Sequence, residues 1–209
     1  GAVASWARER GIIVCSDECY LEYTWSGGPA GEDQLPASTV LSSGGEGLLA
    51  LHSLSKRSNL AGGRVGCYAG DAQLVAALGE RRRELGLVVP GPMQAAAVAA
   101  WCDQSHVAEQ RNRYRHRLEV LAESVRQAGL ADVELPAGGF YLWAKVGGDD
   151  RAAAARLAAA GVLVQPGILY GPDGAGRIRL AAVRPDDEIV EAARRIAALA
   201  DGAALVRGG

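Results

Sequence analysis

Ser53-Leu54-Ser55-Lys56-Arg57-Ser58-Asn59-Leu60-Ala61-Gly62-Gly63-Arg64-Val65-Gly66 places two hydroxyls ahead of a lysine and an arginine among glycines. The stretch begins where an apolar run over 48–54 reads as a buried strand. It ends in a second strand-like run over 64–69. Ligand sites in open α/β sheets collect at such strand ends. Hydroxyls and a guanidinium suit a phosphate. A lysine beside that anionic anchor suits an aldehyde cofactor held as a Schiff base.

The lysine stands out by composition. Lys56 and Lys145 are the only lysines in 209 residues whose cationic positions are otherwise arginine. Arginine cannot form a Schiff base or readily lose its proton.

Upstream, residues 12–15 (Ile-Ile-Val-Cys) form a short continuous apolar run, as in a strand buried on both faces. Ser16-Asp17-Glu18-Cys19-Tyr20 follows directly. An Asp at that strand end suits a protonated pyridine nitrogen, and Tyr20 lies three residues on, within reach of a ring oxygen. Residues 2–10 read as a helix closed by Gly11, and 26–47 as a loop rich in Gly, Pro and Ser. A helix is expected from about 72 to 85, so strands and helices alternate as in an α/β layer.

After Pro90-Gly91-Pro92 comes a long helical stretch. Its apolar stripe is Val107, Tyr114, Leu118, Leu121 and Val125, and Gly129 closes it. Asp103-Gln104-Ser105 is expected to break and recap it. The basic run 111–117 reads as a solvated face. Beyond it, 140–144, 161–164 and 177–181 read as strands, and 150–160 and 186–200 as helices. The domain expectation is 1–102 for the first unit, and 103–209 for a connecting helix with a small α+β unit.

Composition narrows the function. Lys+Arg total 22 against 24 Asp+Glu, a formal charge of −2, with no basic patch for nucleic acid. No apolar stretch is long enough to span a bilayer, and the start lacks a signal-peptide pattern. Cys15, Cys19, Cys67 and Cys102 show no zinc-ligand spacing. Cys15 and Cys67 read as buried free thiols, which fits a reducing cytoplasm. Neither GxSxG, HExxH nor a Walker A lysine is present, and His52, His106 and His116 have no metal-ligand spacing.

The Asp-x-x-Tyr pair, the Ser-x-Ser-Lys with Arg eight residues on, and the late Arg-Ile-Arg-Leu together resemble fold-type-I, class I/II aminotransferases. The order is the family's and spans nearly the whole chain. Ser-Asp-Glu-Cys-Tyr-Leu-Glu and Ser-Leu-Ser-Lys-Arg-Ser-Asn-Leu-Ala-Gly look more narrowly like bacterial succinyldiaminopimelate aminotransferases of lysine biosynthesis.

That resemblance implies a pyridoxal-phosphate transferase fold: a mainly parallel α/β sheet with a C-terminal α+β small domain. Lys56 would hold the cofactor and shuttle the proton. Asp17 would pair with the pyridinium, and Tyr20 would donate to O3′. Ser53, Ser55 and Arg64 would grip the phosphate. Arg179 would fork onto the substrate α-carboxylate, with Arg177 facing away from it. Gly138-Gly139-Phe140-Tyr141 resembles the strand at the substrate mouth. Amino-acid and keto-acid substrates and a homodimer are implied, with no nucleic acid and no membrane.

Two departures stand against the pattern. Gly63 occupies a position the family usually fills with a large residue, which is expected to loosen the loop before Arg64. The chain reads as a C-terminal portion, lacking the family's N-terminal phosphate loop, stacking ring and O3′ asparagine, and is expected to be inactive alone. Another class I/II enzyme, such as a C–S lyase, and a non-catalytic regulatory domain remain open on sequence alone.

Overall fold

A computed structural model describes residues 1–25, 39–130 and 133–199. The loop expectation over 26–38 lies outside them. The chain divides into two compact units, Gly1–Glu109 and Gln110–Gly209.

The first unit opens with α1 (Ala2–Arg8) and β1 (Val14–Asp17). β2 (Leu48–Ser53) runs straight into a single helical turn, α2 (Leu54–Arg57). β3 (Gly66–Gly70), α3 (Ala72–Glu84) and α4 (Gly91–Cys102) follow. β2 is central, with β1 parallel on one side and β3 antiparallel on the other. Leu48, Leu49 and Ala50 are buried in succession, as expected where both faces of a strand are covered. β3 lies so close to β2 that a Cβ at Gly70 would meet the Leu48 carbonyl oxygen.

β1 corrects one expectation. Ile12 and Ile13 precede the strand and are 44% and 54% exposed. The Ile12 amide closes α1 on the Ala7 carbonyl, and pairing with β2 begins only at Val14. Within β1, half-buried and exposed residues alternate. Cys15 and Cys67 are exposed rather than buried.

Helix α5 (Ser105–Gln127) starts in the first unit and continues into the second. Asp103 accepts the Ser105 amide at 2.8 Å and its hydroxyl at 2.6 Å, so the chain is recapped between α4 and α5. Gly129 takes φ +78° just past the helix end.

The second unit contains β4 (Tyr141–Lys145), α6 (Asp150–Ala159), β5 (Gln165–Pro166), β6 (Arg177–Ala181) and α7 (Asp186–Ala198). β6 lies between β4 and β5, antiparallel to both. Leu142, Ala144, Ile178 and Leu180 are buried, as are Leu118, Val125, Leu157, Ile189 and Ile196. The expected strand at 161–164 is not one. Gly161 has φ +79° at the end of α6, and Leu163 is 87% exposed. The apolar run is a helix stop followed by a short edge strand. Arg117 departs from the otherwise solvated basic face: it is buried and paired with Asp186 at the start of α7.

Candidate active site

Topology brings several of the expected residues to one end of the first sheet. Asp17 is the last residue of β1, in register with Leu51. Ser53 ends β2, opposite Gly66 at the start of β3. Arg64 lies two residues before β3, and the Leu54 amide donates to the neighbouring Val65 carbonyl. Parallel β1 and β2 end where antiparallel β3 begins, so Asp17, Ser53 and Arg64 share that end.

Lys56 rises from α2 with its Nζ 5.9 Å from the centre of the Tyr20 ring. Asp17 is exposed and takes the Cys19 amide on Oδ1 at 3.1 Å. The Cys19 thiol, and then that amide, hold the Asp17 carboxyl below its ordinary range. Cys19 itself is pushed up to about 11, by burial first and by Asp17 second, so it stays a neutral donor at physiological pH.

The sign of this coupling is testable. Asp17 has a depressed folded-state pKa. Its contribution is present above the unfolded value of about 4 and is lost as pH falls through the folded one. Cys19→Ala removes the largest cause and leaves the amide bond. The Asp17 titration, followed by carboxyl-carbon NMR, is expected to move to higher pH. An unmoved midpoint refutes the thiol's role.

Ser53 caps α2, its Oγ accepting the Ser55 amide at 3.1 Å. Arg64 is exposed, with Nη1 donating to the Ala61 carbonyl at 3.0 Å. Its backbone is left-handed, at φ +51° and ψ +42°. The preceding loop is a compact turn over Ala61–Gly63. Leu60 Cγ and Met93 Cε both lie 3.0 Å from where a Gly63 Cβ would be, so neighbouring side chains fill the space.

Arg179 belongs to the second unit, on the partly exposed face of β6. Its guanidinium carbon lies 4.3 Å from the Tyr141 ring centre and 5.1 Å from that of Tyr170. Trp143 meets Tyr170 edge-on at 5.5 Å. The Arg179 Nε is buried without a hydrogen-bond partner among the described residues. A buried donor without an acceptor is costly, which suits a group that receives an anion. Arg177 is two residues away on the same strand with the same half-buried pattern. It therefore shares the face of Arg179 instead of opposing it.

In the sequence Arg57 stands out only as part of a motif. In the fold its guanidinium bonds to several acceptors beside Lys56. Arginine is so common here that nothing local marks this one as buried.

The family profile of aminotransferase class I and II matches residues 2–196. The chain belongs to that family. Its members depend on pyridoxal phosphate. The chain is 44% identical over 194 residues to 4-dedimethylamino-4-oxo-anhydrotetracycline transaminase OxyQ of Streptomyces rimosus, covering 93% of this chain and 53% of that one. It is 32% identical to LL-diaminopimelate aminotransferase of Syntrophobacter fumaroxidans, covering 93% and 50%. A solved structure from Thermus thermophilus, described as a probable N-succinyldiaminopimelate aminotransferase, is 31% identical with a TM-score of 0.74. That match covers 95% of this chain and 52% of the other. The chain thus spans about half the length of the curated relatives it matches. No helix among the described residues is long and apolar enough to cross a membrane.

The residues fit the family's cofactor. An anionic Asp17 suits a pyridinium, the primary amine of Lys56 suits an aldehyde, and Arg64 with two hydroxyls suits a phosphate. The buried, unpartnered Nε of Arg179 suits a carboxylate.

Proposed function

We propose that this chain forms part of a homodimeric, cytoplasmic aminotransferase that moves an amino group between glutamate and an N-succinyl-diaminopimelate-type keto acid. Residues 1–102 supply the end of the cofactor domain, and 103–209 supply the connecting helix and small domain. The observation that carries the reading is the Lys56 ammonium beside Tyr20, at the sheet end where Asp17 is held anionic.

Pyridoxal phosphate, when bound, supplies an aldehyde and a ring that accepts electron density. Lys56 Nζ would hold the aldehyde carbon and would carry the proton lost from the substrate α-carbon. Asp17 would pair with the protonated ring nitrogen, and Tyr20 would donate to O3′. Ser53, Ser55 and Arg64 would hold the phosphate. Arg179 would orient the α-carboxylate as a bidentate fork.

A second substrate reading follows from the 44% identity to a transaminase named for a polycyclic ketone. It keeps the same residues and changes only the acceptor. A panel on the intact protein separates the two. The first reading expects glutamate and N-succinyl-diaminopimelate, each as amino donor with an oxo-acid acceptor, to exceed alanine and aromatic amino acids, and the N-succinyl keto acid to exceed anhydrotetracycline ketones as acceptor. Preference for one of those others refutes it. Borohydride reduction of the holoprotein followed by peptide mass spectrometry tests the cofactor assignment, with a pyridoxyl group expected on Lys56.

A further inference from the structure

α2 is a single turn of four residues, too short to hold its own geometry. The Ser58 amide closes it on the Leu54 carbonyl, at 3.1 Å. Something else must fix the Lys56 backbone. Leu54 and Arg57, three residues apart on one side, are both buried. Leu54 enters a cluster with Val65 and Ala97. Lys56 falls on another side, toward Tyr20.

Arg57 is 5% exposed. Its Nη1 donates to the Ala100 carbonyl at 2.7 Å, and its Nη2 to Gln104 Oε1 at 2.9 Å. Longer bonds of 3.4 Å reach the carbonyls of Trp101 and Asp103, and Nε lies 3.4 Å from Glu22 Oε1. These carbonyls belong to the end of α4 and the link to α5, where helix carbonyls lack intrahelical donors and favour a cation. The Arg57 carbonyl in turn accepts the hydroxyl of fully buried Tyr23 at 2.8 Å. Side chain and main chain are thus pinned on the residue next to Lys56.

The adjoining Ser58 hydroxyl extends the clamp. It lies 2.9 Å from His106 Nε2, whose Nδ1 is 2.9 Å from Asp103 Oδ2. The connectivity is that of a hydrolytic triad. However, Arg57 Nη1 also lies 3.3 Å from the same oxygen, and a guanidinium donor opposes nucleophilic use of it. The group reads as a second tie between α2 and the α4–α5 link.

We propose that Arg57 is a positioning residue for the transamination chemistry. Its fork on the α4–α5 link sets where Lys56 Nζ stands. The inference rests on the cofactor reading above. Lysine cannot replace the fork, because one ammonium cannot span acceptors on both sides.

The test uses the intact holoprotein with pyridoxal phosphate and glutamate. Arg57→Lys and Arg57→Gln are expected to lower kcat of the glutamate half-reaction by about 10- to 100-fold, the scale of a misplaced reacting group. KM and cofactor Kd should move less than about threefold, because phosphate and carboxylate anchors are untouched. Variants that melt earlier but keep wild-type kcat overturn the proposal and leave Arg57 a structural residue. If both fail to fold, Gln104→Ala removes one 2.9 Å acceptor and should lower kcat in the same direction. Unchanged kcat there also overturns it. Wild-type protein that traps no pyridoxyl on Lys56 removes the cofactor reading itself. Trapped wild type with unaffected variants removes this inference alone.

Discussion

Lys56→Ala is expected to cut transamination by the intact protein at least about 10³-fold, the upper part of the range for a positioned acid–base group. The residue serves twice in the proposed chemistry, as covalent attachment and as proton carrier. No described neighbour can take over. Tyr20 is a phenol, Cys19 is a thiol pushed up to about 11, and Arg57 is locked on the α4–α5 link. Lys145 is the other lysine of the chain, and it lies on β4 in the second unit. Cofactor binding should persist without covalent attachment, since Asp17 and Arg64 remain. Single-turnover absorbance with glutamate measures the loss, and borohydride trapping locates the bond. Retained turnover in Lys56→Ala, with label on Lys145, would falsify the assignment.

Arg179→Ala is expected to slow both half-reactions, because amino donor and keto acceptor each carry an α-carboxylate. Truncating one partner of a buried charged pair costs on the order of 2–5 kcal/mol, about 30- to several-thousand-fold in kcat/KM. The surroundings favour the upper half of that range. Tyr141 and Tyr170 rings flank the guanidinium, and its Nε is shut off from water. A carboxylate docking there is partly desolvated, which strengthens the bond and the penalty for losing it. Arg179→Lys keeps the charge and loses the fork, so it should fall between. Equal kcat/KM for glutamate in wild type and Arg179→Ala would refute the role. A loss confined to one half-reaction would mean that only one substrate uses this arginine.

Much of the architecture was legible because it follows local rules. The alternation of Arg177-Ile178-Arg179-Leu180-Ala181 marks a strand with one buried face, and β6 has those bounds. Asp103 with Ser105 two residues later marks a cap, and the helix restarts there. The errors share a different cause. Ile12, Ile13 and residues 161–164 are apolar, but composition cannot show whether a neighbouring layer covers them. The Ile12 amide is used in closing α1, and Gly161 ends α6. The exposed Cys15 and Cys67 fail for the same reason. Arg177 was placed on the wrong face, although period-two geometry alone assigns it to that of Arg179.

At the site, residue types, spacing and the family resemblance nominate Asp17, Tyr20, Ser53, Ser55, Lys56, Arg64 and Arg179, and their roles are proposals. Support was hidden. Nothing local announces that Arg57 reaches residues more than forty positions on. Such partners come from tertiary packing, and sequence periodicity carries no record of them.

The left-handed backbone at Arg64 sets two kinds of selection against each other. An arginine there pays roughly 1–2 kcal/mol that glycine would not. A library sorted only for heat resistance should therefore drift toward glycine or asparagine at this position, discarding the guanidinium. A library sorted for growth in medium lacking the enzyme's product should retain it. With the phosphate role proposed for Arg64, residue 64 is a position where consensus-style stabilisation would trade activity for robustness.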